Sequence, residues 1–107
     1  MKEKYLQVFT ATESKSDAEM IARLTVEKRL AACAQITGPI ESTYWWKGEN
    51  ESAKEWGCTM KTTAARYPEL EEVVREIHPY ENPEIIATPI IQGSKKYLDW
   101  IEEETAK

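Results

Sequence analysis

Apolar residues alternate with polar ones in some stretches of the chain and recur every three or four positions in others, and that switch of period lays out the elements. Leu6-Gln7-Val8-Phe9-Thr10 reads as a first strand. Ser16-Asp17-Ala18-Glu19 has the form of a capping box, in which the serine accepts the glutamate amide and the carboxylate returns the bond. The pattern predicts a first helix from there to about Arg29, with Ala18, Ile21, Ala22 and Thr25 on one face. The segment from Leu30 to Ile36 is short, small and apolar, as a buried strand is. Gly38-Pro39 bends it, and it resumes at Ile40 to carry Tyr44, Trp45 and Trp46. Gly48-Glu49-Asn50-Glu51 predicts a polar turn, and in the returning strand Trp56, Cys58 and Met60 alternate with Gly57, Thr59 and Lys61.

Pro68 suits the first turn of a second helix, where its missing N–H costs nothing. Leu70, Val73, Val74 and Ile77 keep the i, i+3, i+4, i+7 stripe, and Pro79 ends the helix. Ile85-Ile86-Ala87 and Pro89-Ile90-Ile91 predict a last strand, which its proline assigns to an edge or a bulge. Ser94 caps a short terminal helix with Tyr97, Leu98 and Ile101 inward, and Glu102, Glu103 and Glu104 oppose its dipole, so its end is expected to fray. The order β-α-β-β-α-β plus a helix is the split βαβ plan of the α+β, ferredoxin-like class: one antiparallel sheet with helices on one face and a long hairpin. The hairpin carries more aromatic surface than a two-stranded ribbon can bury, and another subunit is the simplest cover.

A length of 107 residues suits one domain spanning 1–107. The net charge of −5, with no basic cluster beyond the isolated pair Lys95-Lys96, disfavours non-specific attraction to nucleic acid or anionic membrane. Gln7 interrupts the apolar stretch after Met1-Lys2-Glu3-Lys4, which matches neither a secretory leader nor a membrane span, so a cytoplasmic location is expected. In that reducing setting Cys33 and Cys58 are expected as free thiols.

Few residues offer chemistry. Cys33, in Leu30-Ala31-Ala32-Cys33-Ala34, reads as a small core residue more readily than as a soft metal ligand or redox thiol, and Cys58 more firmly so. His78, the only histidine, stands just before Pro79, either as a metal ligand or proton carrier or as a helix-end residue whose cation the dipole favours. Glu81 and Glu84 follow in a proline-bracketed loop and could share a cation with it. Lys61 reads as an outward charge or as an anion anchor in a cleft. Trp45, Trp46, Trp56, Tyr97 and Trp100 read as core or interface anchors, or as platforms for a planar ligand. No nucleophile motif, phosphate loop, dinucleotide fingerprint or zinc spacing occurs, which argues against an enzyme.

Lys28-Arg29-Leu30-Ala31-Ala32-Cys33-Ala34, Tyr44-Trp45-Trp46-Lys47-Gly48, Lys61-Thr62-Thr63, His78-Pro79-Tyr80 with Pro83-Glu84-Ile85, and Tyr97-Leu98-Asp99-Trp100 resemble, in order and over essentially the whole chain, the CutA divalent-cation tolerance proteins. The resemblance implies a ferredoxin-like subunit in a tight homotrimer, with Tyr44, Trp46 and Trp56 of the hairpin at the interface. It implies clefts between chains, for which Lys61, Tyr80, Tyr97 and Trp100 are the candidate lining. It also implies an architecture like the trimeric PII signalling proteins, which bind small effectors between subunits. Tolerance of copper and other divalent metals is the implied role; a signalling trimer holding a small molecule or a protein is the alternative. For metal, the candidate ligands are His78, Glu84 and Cys33. Some copper-binding bacterial members carry a cysteine at the end of the first strand and two adjacent histidines before Pro-Tyr. Here those places hold Phe9-Thr10 and Ile77-His78, so only weak binding of Cu(II) or another divalent cation is expected, centred on His78.

Overall fold

The structure, a computed structural model, describes residues 3–107. In chain order it holds strand β1 (Tyr5–Thr12), helix α1 (Lys15–Glu27), strands β2 (Cys33–Trp46) and β3 (Glu49–Thr63), helix α2 (Tyr67–Ile77), strand β4 (Ile86–Pro89) and helix α3 (Lys95–Thr105). The strands form one antiparallel sheet in the order β2-β3-β1-β4, the split βαβ arrangement expected from the sequence. β4 is an edge strand, as its proline requires, and Pro89 stands at its end opposite Leu6.

One core lies between the sheet and the first two helices. Leu6 and Val8 of β1 and Cys58 and Met60 of β3 face Ile21 of α1 and Leu70 and Val74 of α2, all of them buried. Val73 and Ile77 pack at its rim, completing the stripe that the sequence shows on α2. Each fully buried side chain of this size stabilises the fold by about 1.5–3 kcal/mol.

Several boundaries differ from expectation for local reasons. The cap of α1 is Ser14, not Ser16: its Oγ accepts the Asp17 amide at 3.1 Å and donates to the Asp17 carboxylate at 2.8 Å. The Thr12 hydroxyl fixes that turn by donating to the Ser14 carbonyl at 2.7 Å. α1 stops at Glu27 because Arg29 takes a left-handed φ of 64°, which lets the Leu30 and Ala31 amides both bond the Thr25 carbonyl. Leu30–Ala32 is therefore a buried connection rather than strand, and β2 begins at Cys33. The hairpin turns on Lys47 and Gly48, whose φ values of 50° and 81° define a type I′ turn, so Glu49–Glu51 are already paired strand.

α3 packs on β3. Ile101 is buried as expected and Leu98 partly so, but Tyr97 is 41% exposed. The end of α3 is held: Arg66 Nε donates to the Thr105 carbonyl at 2.6 Å, Arg29 bonds Glu104, and Lys4 pairs with Glu102 at 2.7 Å. Arg29 and Lys4 thus meet two of the carboxylates that would otherwise oppose the dipole, and Arg66 meets a terminal carbonyl. The hairpin bulges between Thr37 and Ile40. Gly38, at φ 153°, lies directly beneath Trp56, where an added Cβ would fall 2.7 Å from the indole ring. Beyond the bulge the ribbon leaves the helices behind.

Candidate functional site

Pro79 stops α2 at His78, which turns extended at φ −70° and ψ 136°. The imidazole is thereby swung under the end of β1. Its Nε2 lies 2.9 Å from the Ala11 carbonyl, and its Nδ1 accepts the Tyr80 amide at 3.1 Å. A carbonyl only accepts, so Nε2 carries the proton and the ring is neutral. Burial lowers its pKa, against the Ala11 bond and the charges of Asp17 and Glu55, which raise it. The helix-end cation, one of the two readings of this residue, is therefore not what the site holds: Nδ1 is taken up as an acceptor, and burial disfavours the charged ring. Tyr80 packs on the imidazole with ring centres 4.7 Å apart, and its hydroxyl donates to Glu55 Oε2 at 2.7 Å. Burial, then the hydrogen bond and charge of Glu55, push the Tyr80 phenol far above its ordinary value.

Tyr80 and Glu55 form one wall of a cleft of about 640 Å³ between the hairpin and the loop after His78. Tyr44, Trp45 and Trp46 of β2 supply the aromatic wall, and Glu13, Glu81 and Glu84 add carboxylates to that of Glu55. Among the described residues no lysine or arginine lines it.

A second grouping lies at the other end of the sheet. Cys33, Lys61 and Gln7 are neighbours across β2, β3 and β1. Alternation puts them on the face opposite the core. Lys61 Nζ donates to Gln35 Oε1 at 2.8 Å. Cys33 Sγ lies 3.4 Å from the Tyr97 hydroxyl, and Tyr97 leans on Trp100 with centroids 5.5 Å apart. The Cys33 hydrogen bond, then burial, push the Tyr97 phenol up to about 12. Cys33 is thus half-buried at the surface, not in the core as its apolar flanks suggest; Leu30 and Ala31 are the buried residues of that segment. Cys58 is in the core, and burial pushes its thiol up to about 11. Trp100 borders a separate cleft of about 460 Å³ with Val26, Arg29 and Ala31.

The residues read from the sequence fall into these two places. Ala11, beside His78, is four residues along β1 from Gln7, the neighbour of Cys33 in register, or about 13 Å of strand. His78, Glu84 and Cys33 do not converge, and among the described residues no group of three or more His, Cys, Asp or Glu side chains is arranged to hold a metal ion within one chain. The clefts expected to hold Lys61, Tyr80, Tyr97 and Trp100 lie between chains; within one chain Tyr80 lines the hairpin cleft, and Lys61, Tyr97 and Trp100 lie toward the other end of the sheet. Of the three expected interface aromatics, Tyr44 and Trp46 are exposed at 41% and 38%, whereas Trp56 is half-buried, covering Gly38 with Lys15 Nζ 5.4 Å from its ring. Glu13 and Glu55 are cleft residues that the sequence reading missed. Strand alternation separates Glu55 from Trp56 and Cys58, but nothing in it foretells that Tyr80, returning from α2, meets that carboxylate.

The sheet order and the prolonged hairpin define a ferredoxin-like α+β protein. Residues 6–104 match the family described as CutA1 divalent ion tolerance protein, and the chain belongs to it. The divalent-cation tolerance protein CutA of Thermus thermophilus is 43% identical over 98 residues, 92% of this chain and 95% of that protein. The crystal structure of CutA1 from Shewanella sp. SIB1 superposes with a TM-score of 0.95 at 39% identity over the whole of both chains. That of the Archaeoglobus fulgidus CutA, described as periplasmic, gives 0.91 at 39% identity over 94% of this chain and 97% of that one. Among the described residues no helix is long and apolar enough to cross a membrane.

Proposed function

We propose that the chain serves divalent-cation tolerance as a homotrimer that binds its ligand and does not turn it over. The observation that carries the reading is the ribbon beyond the bulge. Tyr44, Trp45 and Trp46 are exposed there, Trp45 by 75%, on a chain whose core is otherwise closed. Ile86 and Ile91, on and after the edge strand, are exposed too. Aromatic surface of this kind is the usual material of an obligate interface. The names of the relatives support the tolerance role. His78 is the only imidazole, and backbone groups occupy both its nitrogens, which argues against proton transfer to a substrate. The same bonds argue for weak Cu(II) binding, since a metal at Nδ1 must displace the Tyr80 amide and Glu84 and Cys33 bring no help within the chain. The free thiols Cys33 and Cys58 suit a cytoplasmic setting.

A second reading, a signalling trimer resembling the PII proteins that holds a small molecule or a protein, is favoured by the hairpin cleft, which has the size of a ligand site. Native mass spectrometry of untagged protein tests the assembly, with a trimer mass expected and a monomer at micromolar concentration fatal to it. Growth of a deletion strain in copper or zinc, with and without the gene, tests the tolerance role. Equal growth of the two strains in both metals would remove it.

A further inference from the structure

We infer that Tyr80 and Glu55 form a brace that fixes the direction of the ribbon beyond the bulge, and so presents its aromatic tip at a set angle to a second copy of this chain. The brace is a feature of the single chain; its use in assembly rests on the homotrimer reading above. β1 ends at Thr12, opposite Trp56, so Glu55 is the first residue of β3 toward the tip with no β1 neighbour. Glu55 also stands in the first pair of the hairpin beyond the bulge, opposite Ile40. A bulge bends and twists a ladder, and a two-stranded ribbon without a second layer has little to hold that bend at one angle. The joint is where a support has most effect.

A continuous line of bonds crosses that joint from body to ribbon. The Ala11 carbonyl of β1 accepts from His78 Nε2 at 2.9 Å, His78 Nδ1 accepts the Tyr80 amide at 3.1 Å, and the Tyr80 hydroxyl donates to Glu55 Oε2 at 2.7 Å. The His78 and Tyr80 rings, with centres 4.7 Å apart, stiffen the middle of the line, and Pro79 fixes φ between them. Glu55 is only 9% exposed, and its side chain makes no other hydrogen bond or salt bridge among the described residues. A carboxylate held so far from water depends on that hydroxyl, because losing it leaves a buried acceptor unsatisfied. Swinging the ribbon away from the loop would break the bond, so it resists the motion that the bulge permits. Both ends belong to one chain, and the brace acts whether the tip is covered or open. A ribbon held at one angle loses less freedom on meeting a second copy than a swinging one does.

The test is single-molecule energy transfer on the full-length chain at high dilution. Dyes are placed at Asn50→Cys near the tip and Arg23→Cys on α1, both exposed, in a Cys33→Ser background with Cys58 left in the core. The chain with the brace intact is expected to give one narrow distribution. Tyr80→Phe removes only the hydroxyl and should shift or broaden it; Glu55→Met removes the acceptor and should do the same. Glu55→Gln keeps an oxygen for the hydroxyl and should keep the narrow distribution. Tyr80→Phe combined with Glu55→Met takes away the unpartnered carboxylate. It should recover the melting temperature lost in Tyr80→Phe and leave the distribution broad, whereas a pair that only stabilised the fold would recover both. A broad distribution with the brace intact, or a narrow unshifted one in both Tyr80→Phe and Glu55→Met, would overturn the proposal. Circular dichroism checks the fold of each variant, and Glu55→Met carries the test if Tyr80→Phe is misfolded. Sedimentation of the unlabelled proteins reads the assembly, whose dissociation constant should rise about tenfold in Tyr80→Phe. A monomer whose distribution broadens keeps the brace and removes the trimer. A trimer whose distribution stays narrow in both variants does the reverse. Broadening with an unchanged dissociation constant would overturn the use of the brace in assembly.

Discussion

The same two strands live in different worlds on either side of the bulge at Thr37 and Ile40. Toward the helices, Cys58 and Met60 of β3 are closed off by Ile21, Leu70 and Val74. Toward the tip, Tyr44, Trp45 and Trp46 of β2 are open to solvent. Both halves keep the antiparallel ladder, so hydrogen bonding does not separate them. What separates them is the second layer: α1 and α2 cover one half, whereas no helix among the described residues covers the aromatic tip of the other, which only the loop carrying Tyr80 approaches. A ladder fixes register, while burial supplies most of the stabilisation, so one half holds itself and the other leaves its aromatic surface open.

That contrast breaks first in the core. Leu70→Ala or Met60→Ala removes a fully buried side chain and is expected to cost about 2–5 kcal/mol, read from denaturant unfolding. Next comes the joint between the halves. Gly38→Ala would push a Cβ against Trp56 and hold an L-residue at φ 153°, with an expected loss of about 1–3 kcal/mol. A Gly38→Ala protein as stable as wild type would mean that the joint tolerates rearrangement. At the tip, Trp45→Ala should change the unfolding of the dilute, dissociated chain by no more than about 0.5 kcal/mol. Its effect should appear instead as a midpoint that depends more steeply on protein concentration. If Trp45→Ala costs as much as Leu70→Ala at every concentration, the two halves do not differ in the way described.

The same division decides what was legible in the sequence. α2 was readable because its stripe and its burial coincide: Leu70 and Val74 need only one face. Cys33 was misplaced because its neighbours are apolar for another reason, Leu30 and Ala31 being buried in the connection that ends α1. Ser14 and Ser16 both offer a capping oxygen, and a tertiary detail, the Thr12 hydroxyl on the Ser14 carbonyl, chose between them. The cleft was the least legible part. Glu13, Glu55 and Tyr80 come from three segments, and only the folded register brings them together.

His78 links the halves, its imidazole bonded to β1 and its neighbour Tyr80 to the cleft. Its pKa is lowered in the folded chain, so between that value and the ordinary one of about 6.5 the unfolded chain holds a proton that the folded one does not. Stability should therefore fall as pH drops through about 6.5 and level off below the folded value. The melting temperature followed from about pH 7 to 5 should slope less in His78→Gln than in wild type. Parallel slopes would assign the acid sensitivity to other groups.

The smallest effect is the most local, and the two thiols report on it. Cys58 is fully buried, with its pKa pushed up to about 11, so at about pH 8 roughly one molecule in a thousand carries the reactive thiolate, and that one is shielded. Cys33 is half-buried at the surface beside Tyr97. Iodoacetamide should label Cys33 first and reach Cys58 only through opening of the core, at a rate that follows global stability. Leu70→Ala should then speed the labelling of Cys58 and leave Cys33 unchanged, while Trp45→Ala in the dissociated chain should alter neither. Mass spectrometry of peptides containing each cysteine gives both rates in one experiment. Faster labelling of Cys58 in Trp45→Ala would show that the ribbon and the core open together, and that the bulge at Thr37 and Ile40 does not part the molecule into two.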